Sequence, residues 1–353
     1  MPATDRLHTL VVPSQALASN RLDNCSAPTT CKPPAAPLCR RKRLANGDNP
    51  PVSSPSSPGR ADGASNAPHA PAAVTHYENF PVASWLCPPH LRAPIAAIYH
   101  FARTADDIAD ESTATPDERL AELATYRADL AAAAQGNGAS ARWPQVFAPL
   151  SHVIAQFQLP EDLLADLLSA FMQDIAWTRD ARAYADRAEL LDYCRRSANP
   201  VGRLLLHLYG VTGATALAQS DAICSALQLI NFWQDLSVDL PRGRFYLPLA
   251  DCAAHGLLRG DFKQFKPLDL QSPARPAIDL VANEVRWARE LMQSGAPLVH
   301  ALPGRAGWEL RLVVQGGLAI LDKIAAQGFD SYSRRPTVGK ADAPRLLWRA
   351  VWM

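Results

Sequence analysis

The stretch "PIAAIYHFARTADDIADE", Pro94 to Glu111, is apolar along its first half and acidic along its second. Ile95, Ile98, Tyr99 and Ala102 recur at helical spacing, so the segment reads as an amphipathic helix. Asp106 and Asp110 stand one turn apart directly behind that apolar run. Like charges at this spacing cost a helix about 0.2–0.5 kcal/mol unless something neutralises them. The same arrangement returns in "QLINFWQDLSVDLPRGRFYLP", residues 228–248. There Asp235 and Asp239 are again one turn apart on an apolar helix, with Asn231 one turn before them and Gln228 on the same side.

Two acidic pairs on two apolar helices bring four carboxylates to one cavity if those helices face each other. Such a cluster stays ionised only when cations fill it. Oxygen ligands with no nearby His or Cys favour a hard cation, and room for water and phosphate favours Mg²⁺. Arg103, beside Asp107, is placed to take phosphate oxygens in bidentate fashion. A single DxxxD helix is usually a solvated face; two of them among aromatic and aliphatic residues point to metal and diphosphate.

The remaining sequence is consistent with one large all-α domain. Apolar residues at i, i+3, i+4 and i+7 recur in "PDERLAELATYRADLAAAA", "PEDLLADLLSAFMQDIAWTR", "SDAICSALQLINFWQDLSVDL" and "PAIDLVANEVRWARELMQSG". Several of these open on Pro followed by Asp or Glu, a helix-start signal. Residues 1–74 differ: they are rich in Pro, Ser, Ala and Gly without periodicity, and are expected to be a disordered extension ahead of a domain at 75–353. Their "RRKR" at 40–43 reads as a targeting or anionic-surface patch, or simply as part of an untidy extension.

The formal charge of +1 provides no global field for attracting nucleic acid or an anionic membrane. No run of 18 apolar residues suggests a membrane span, so bilayer contact would be peripheral and the expected location cytoplasmic. Seven scattered cysteines without a CxxC pair read as free thiols. "GNGASA" at 136–141 matches GxGxxA only formally; it follows an Ala-rich helix rather than a strand and reads as a loop. No NAD(P)H site is therefore expected.

The runs Tyr99 to Asp110 and Asn231 to Asp239, with the "RGRFYLP" that follows, resemble the two aspartate-rich signatures of the squalene/phytoene synthase family. The resemblance spans roughly residues 76–349. Within the family, "HYENFPVASWLCPP", "YCRRSANPVGRLLLHLYG" and "RRPTVGKAD" look similar to the hydroxysqualene synthase branch of the hopanoid pathway. The resemblance implies an all-α isoprenoid-synthase bundle around a central hydrophobic channel. It also implies Mg²⁺-assisted conversion of presqualene diphosphate and water to hydroxysqualene and diphosphate, without a reductant, in company with other enzymes of the pathway.

By the same resemblance, Asp106, Asp110, Asp235 and Asp239 would hold the Mg²⁺, with Asn231 assisting. Asp107 shares the signature but lies off the i,i+4 line. His76, Asn79, Tyr99, Arg103, Gln228 and Arg335 match positions on the substrate diphosphate, and Asp174 matches an acid facing the cavity. Two departures from condensing relatives stand out: Gln234 replaces a basic residue, and "SANPVG" (197–202) replaces a Val-Ala-Gly run. Asn199, with Ser197, then either positions the water that captures the carbocation or caps or kinks the helix before Pro200. The alternatives for the whole chain are a condensing squalene or phytoene synthase and a non-catalytic assembly factor; retention of all four aspartates weighs against the latter.

Overall fold

The computed structural model describes residues 87–110, 113–137, 140–264 and 274–353. The expected extension at 1–74, together with His76 and Asn79, lies outside them. Local signals set most helix starts. Helix α1 (Pro89–Asp110) and helix α2 (Pro116–Ala134) both begin on a proline, whose missing N–H is one the first turn leaves unused. Thr115 adds a capping box to α2: its Oγ1 accepts from the Glu118 N–H (3.3 Å), and Glu118 Oε2 accepts from the Thr115 N–H (2.8 Å).

Helices α3 (Pro144–Phe157) and α4 (Glu161–Arg179) complete the first half. Its core is built on stacked rings. Tyr126 lies 5.3 Å from Phe101 and 4.8 Å from Phe147, and its buried hydroxyl donates to the Phe101 carbonyl (3.0 Å). Burying each such ring contributes about 1.5–3 kcal/mol.

Helices α5 (Arg187–Ser197) and α6 (Asn199–Leu208) are separated by a single break at Ala198, and lead into α7 (Ala214–Gln234). The short helices α8 (Leu236–Asp239) and α9 (Leu249–Ala254) follow, then α10 (Ala274–Gly295), the single turn α11 (Leu298–Ala301), α12 (Arg305–Ala326) and α13 (Ala343–Val351). The second core packs α7 against α10 and α12. Glycines permit the closest approaches: a Cβ on Gly295 of α10 would fall 2.5 Å from the Gln219 carbonyl of α7.

No strand occurs among the described residues, and no described helix is long and apolar enough to cross a membrane. The fold is the all-α one expected. Cys87, Cys194, Cys224 and Cys252 are free, in line with the cysteine reading for the residues described.

Candidate active site

The first acidic signature occupies the last two turns of α1. Asp106 points into the protein and is 4% exposed, while Asp110 is the final residue of the helix. Arg103 reaches both neighbours, with Nη1 3.3 Å from Asp106 and Nη2 2.7 Å from Asp107. Asp107 faces outward, as its position off the i,i+4 line suggests. Tyr99 is buried one turn before Arg103 on the same side of α1. Burial, then the charge of Asp110, push the Asp106 carboxyl up to about 8.

The second signature departs from the expected continuous helix. Helix α7 stops at Gln234, and Asp235 (φ −102°, ψ 14°) is the joint to α8. The one-turn spacing survives because the Asp239 N–H still donates to the Asp235 carbonyl (2.9 Å). A tight turn follows in which Gly243 takes φ 78°, conformational space that side chains disfavour, and sends Arg244 back toward the acids. Asp235 has no solvent exposure and is held by both Nε and Nη2 of Arg335, the latter at 3.3 Å from Oδ2. Gln234 donates to the Pro336 carbonyl (2.6 Å) and so pins the segment that carries Arg335.

Arg244 joins the two signatures. Its Nη2 lies 2.6 Å from Asp110, across 134 residues of chain. Asp174 on α4 shares this field: the Tyr193 hydroxyl donates to it at 2.6 Å, and burial brings its carboxyl up to about 7. Asp239 is 1% exposed, and burial holds its carboxyl well above the ordinary range despite Arg244. Neither Arg244 nor Tyr193 stands out as a site residue in the sequence. The signal for Arg244 is the Arg-Gly-Arg turn directly after the second pair; Tyr193 has none without the fold.

Both signatures sit where a helix ends. The C-terminal ends of α1 and α7 carry the negative pole of the helix dipole, which disfavours a carboxylate by about 0.3–1 kcal/mol. Buried oxygens without a hydrogen-bond partner occur at Asp106 Oδ1, Asp110 Oδ2 and both Oδ atoms of Asp239, along with Gln228 Oε1, Asn231 Nδ2 and Ser197 Oγ. Each such group costs about 1–3 kcal/mol when nothing answers it. The hard carboxylate oxygens of this set, at two negative helix ends, fit a divalent cation such as Mg²⁺. Among the described residues, no three His, Cys, Asp or Glu side chains are gathered closely enough to hold one ion; Arg244 and Arg335 stand among the carboxylates. The unpartnered atom of Asn231 is a donor, which suits a phosphate oxygen, whereas the opposite amide orientation would present an acceptor to a cation.

Asn199 is the first residue of α6 and does not cap it; its Oδ1 accepts from the Ser225 hydroxyl of α7 (2.8 Å). Asn199 therefore does not cap the helix, whereas the chain does break one residue earlier, at Ala198, beside the expected kink.

Residues 73–342 match the squalene/phytoene synthase family. The chain is 39% identical over 238 residues to the hydroxysqualene synthase of Rhodopseudomonas palustris, covering 67% of this chain and 75% of that one. It is 38% identical over 277 residues to the hydroxysqualene synthase of Zymomonas mobilis, with 78% and 87% covered. Among solved structures it resembles squalene synthase HpnC from Alicyclobacillus acidocaldarius, with a TM-score of 0.62 at 36% identity over 72% of this chain and 90% of that one. With its two acidic signatures placed opposite each other on an all-α scaffold, the chain belongs to the squalene/phytoene synthase family.

Proposed function

We propose that this isoprenoid-synthesising enzyme converts presqualene diphosphate and water to hydroxysqualene and diphosphate, with Mg²⁺ as cofactor and no reductant. The observation that carries the reading is the pair of acidic signatures, joined through Arg244, in which buried oxygens of Asp106, Asp110 and Asp239 lack partners. Its support in kind is the identity to proteins named hydroxysqualene synthase. Asp106 and Asp110 on one side, and Asp235, Asp239 and Asn231 on the other, would hold Mg²⁺. When bound, the cation supplies Lewis-acid stabilisation of the departing diphosphate.

The chain's own residues do the rest. Arg103, Arg244 and Arg335 present guanidinium groups at the rim of the acids, suited to diphosphate oxygens. The Asn231 amide adds a donor, and Tyr99 and Gln228 lie on the same helices within the apolar wall. That wall keeps bulk water from the carbocation left when the carbon–oxygen bond breaks. The cation rearranges with ring opening, one water forms the new carbon–oxygen bond, and its proton is released. Ser225 holds the Asn199 carbonyl, leaving the Asn199 amide N–H groups, with the Ser197 hydroxyl, to hold that water. The condensing alternative loses support from Gln234, whose amide is committed to the Pro336 carbonyl rather than to substrate.

The test is product analysis with the full chain and Mg²⁺, without NADPH, offering presqualene diphosphate and farnesyl diphosphate separately. Hydroxysqualene from presqualene diphosphate alone is expected, and its loss on chelation. A condensed product from farnesyl diphosphate overturns the reading. For Asn199→Ala, a fall in alcohol relative to hydrocarbon products is expected; an unchanged ratio removes Asn199 from the water site.

A further inference from the structure

Helix α13 buries Leu346 and Ala350, and packs on α12. Its opposite face leaves Leu347, Trp348, Val351 and the following Trp352 in solvent, with Trp348 66% and Trp352 72% exposed. The two indoles lie 5.7 Å apart. Trp308 of α12 extends the patch. Arg311 stacks on its ring at 5.0 Å and donates to the carbonyls of Ala350 (3.2 Å) and Met353 (2.8 Å), tying Trp308 to the end of α13. Among the described residues, the only other exposed large apolar side chains are Leu249 and Leu258. A cavity of about 510 Å³ opens beside the patch, between Trp348, Trp352, Met353 and the Arg289–Asp322 ion pair.

Arginines predominate around this apolar face. Arg305, Arg311, Arg345 and Arg349 surround it, and residues 343–353 contain no acid. Asp322, beneath the helix, pairs with Arg349 at 2.8 Å and with Arg345 at 3.6 Å, and Arg345 remains mostly exposed. Indole rings next to arginines, with apolar residues between them, suit the boundary between phospholipid headgroups and acyl chains. A twofold contact with a second copy would instead set these arginines against their own counterparts, at a cost in like-charge repulsion.

We propose that α13 docks the protein on an anionic lipid bilayer, with Leu347, Trp348, Val351 and Trp352 at headgroup depth and Arg345 on the lipid phosphates. Docking there places the bundle at the phase from which a long-chain isoprenoid is drawn, and it does not depend on which isoprenoid diphosphate is turned over.

The experiment is co-sedimentation of the full chain with phosphatidylcholine vesicles, with and without phosphatidylglycerol, alongside tryptophan fluorescence. The full chain also carries the basic run at 40–43, so the decisive quantity is the difference between variants. Wild type is expected to bind phosphatidylglycerol vesicles with a blue-shifted emission. The double variant Trp348→Ser/Trp352→Ser should bind about tenfold more weakly, and Arg345→Glu several-fold more weakly, both turning over detergent-dispersed substrate at the wild-type rate. Equal binding by wild type and the double variant overturns the proposal, as does failure of wild type to bind. A wild-type dimer that becomes a monomer in the double variant, with vesicle binding unchanged, assigns the face to a second copy.

Discussion

The two acidic signatures are alike in spelling and unlike in how their charge is answered. On α1, Arg103 lies three and four residues from the acids it meets, and the helix rests one face on the core of α2, α3 and α4. On α7 and α8, Asp235 meets an arginine 100 residues away, and neither carboxylate oxygen of Asp239 has a hydrogen-bond partner. The first signature answers Asp106 and Asp107 locally and only Asp110 across the fold, through Arg244, whereas Asp235 of the second is answered across the fold alone. The difference shows that an acidic motif by itself does not say what neutralises it; that depends on which segments the fold brings to its helix end.

The largest effect separates paired from unpaired acids. Asp235→Asn and Asp239→Asn should each lower kcat/KM by about 10²–10³-fold, since each removes charge from the place where diphosphate departs. Their stabilities should move in opposite directions under chelation. Asp235→Asn leaves Arg335 without its carboxylate and should cost about 1–3 kcal/mol, whereas Asp239→Asn removes a buried, unanswered charge and should gain a similar amount. Denaturant melts of both variants check this, and equal shifts of the same sign would erase the distinction.

Next comes the bridge between the halves against the local pair. Arg244→Ala strips Asp110 of a largely buried partner and should cost about 3 kcal/mol. Arg103→Ala breaks partly exposed contacts along one helix and should cost only about 0.5–1 kcal/mol, with its main effect a raised KM. If Arg103→Ala proves the more damaging to stability, the local-versus-tertiary contrast fails.

A further contrast, read under chelation, is a pH dependence at Asp106. Burial and Asp110 raise this carboxyl from 3.8 to about 8 in the folded protein, so the folded state binds a proton that the unfolded chain has already lost. Its contribution to stability therefore declines as pH rises from about 4 to about 8, and levels off above that. Under chelation, the stability advantage of Asp106→Asn over wild type should widen across that window and then stay constant. An advantage that narrows with rising pH has the wrong sign and refutes the assignment.

Much of the helical framework was legible because its signals are local. The expected helix at 116–134 coincides with α2, since Thr115, Pro116 and Glu118 specify its start within four residues. The first acidic helix runs to Asp110, within a residue of its expected limit. The break at Asp235 was not legible: the apolar period runs through it without interruption, and the turn is shaped by Arg335 and the Gln234–Pro336 contact, both set by residues a hundred positions away. Arg244 escaped for a related reason, because only the fold shows that the Gly243 turn aims it across at α1. Asp174 was named from resemblance, and its link to Tyr193 required α4 and α5 to be placed side by side.

The stretch of residues 225–236, from the second half of α7 to the start of α8, is buried throughout, so bulk water barely reaches twelve successive positions. Ser225, Gln228, Asn231 and Asp235 nevertheless form a polar line along it, each three or four residues from the next. On a surface helix, such residues could be exchanged for one another with little effect. Here solubility exerts no pull on them, and every exchange is judged by a neighbouring side chain or by whatever the protein binds. Tolerance to substitution along this helix thus becomes a map of its contacts: positions that accept any polar residue face nothing in particular, and positions that accept only one outline the bound molecule.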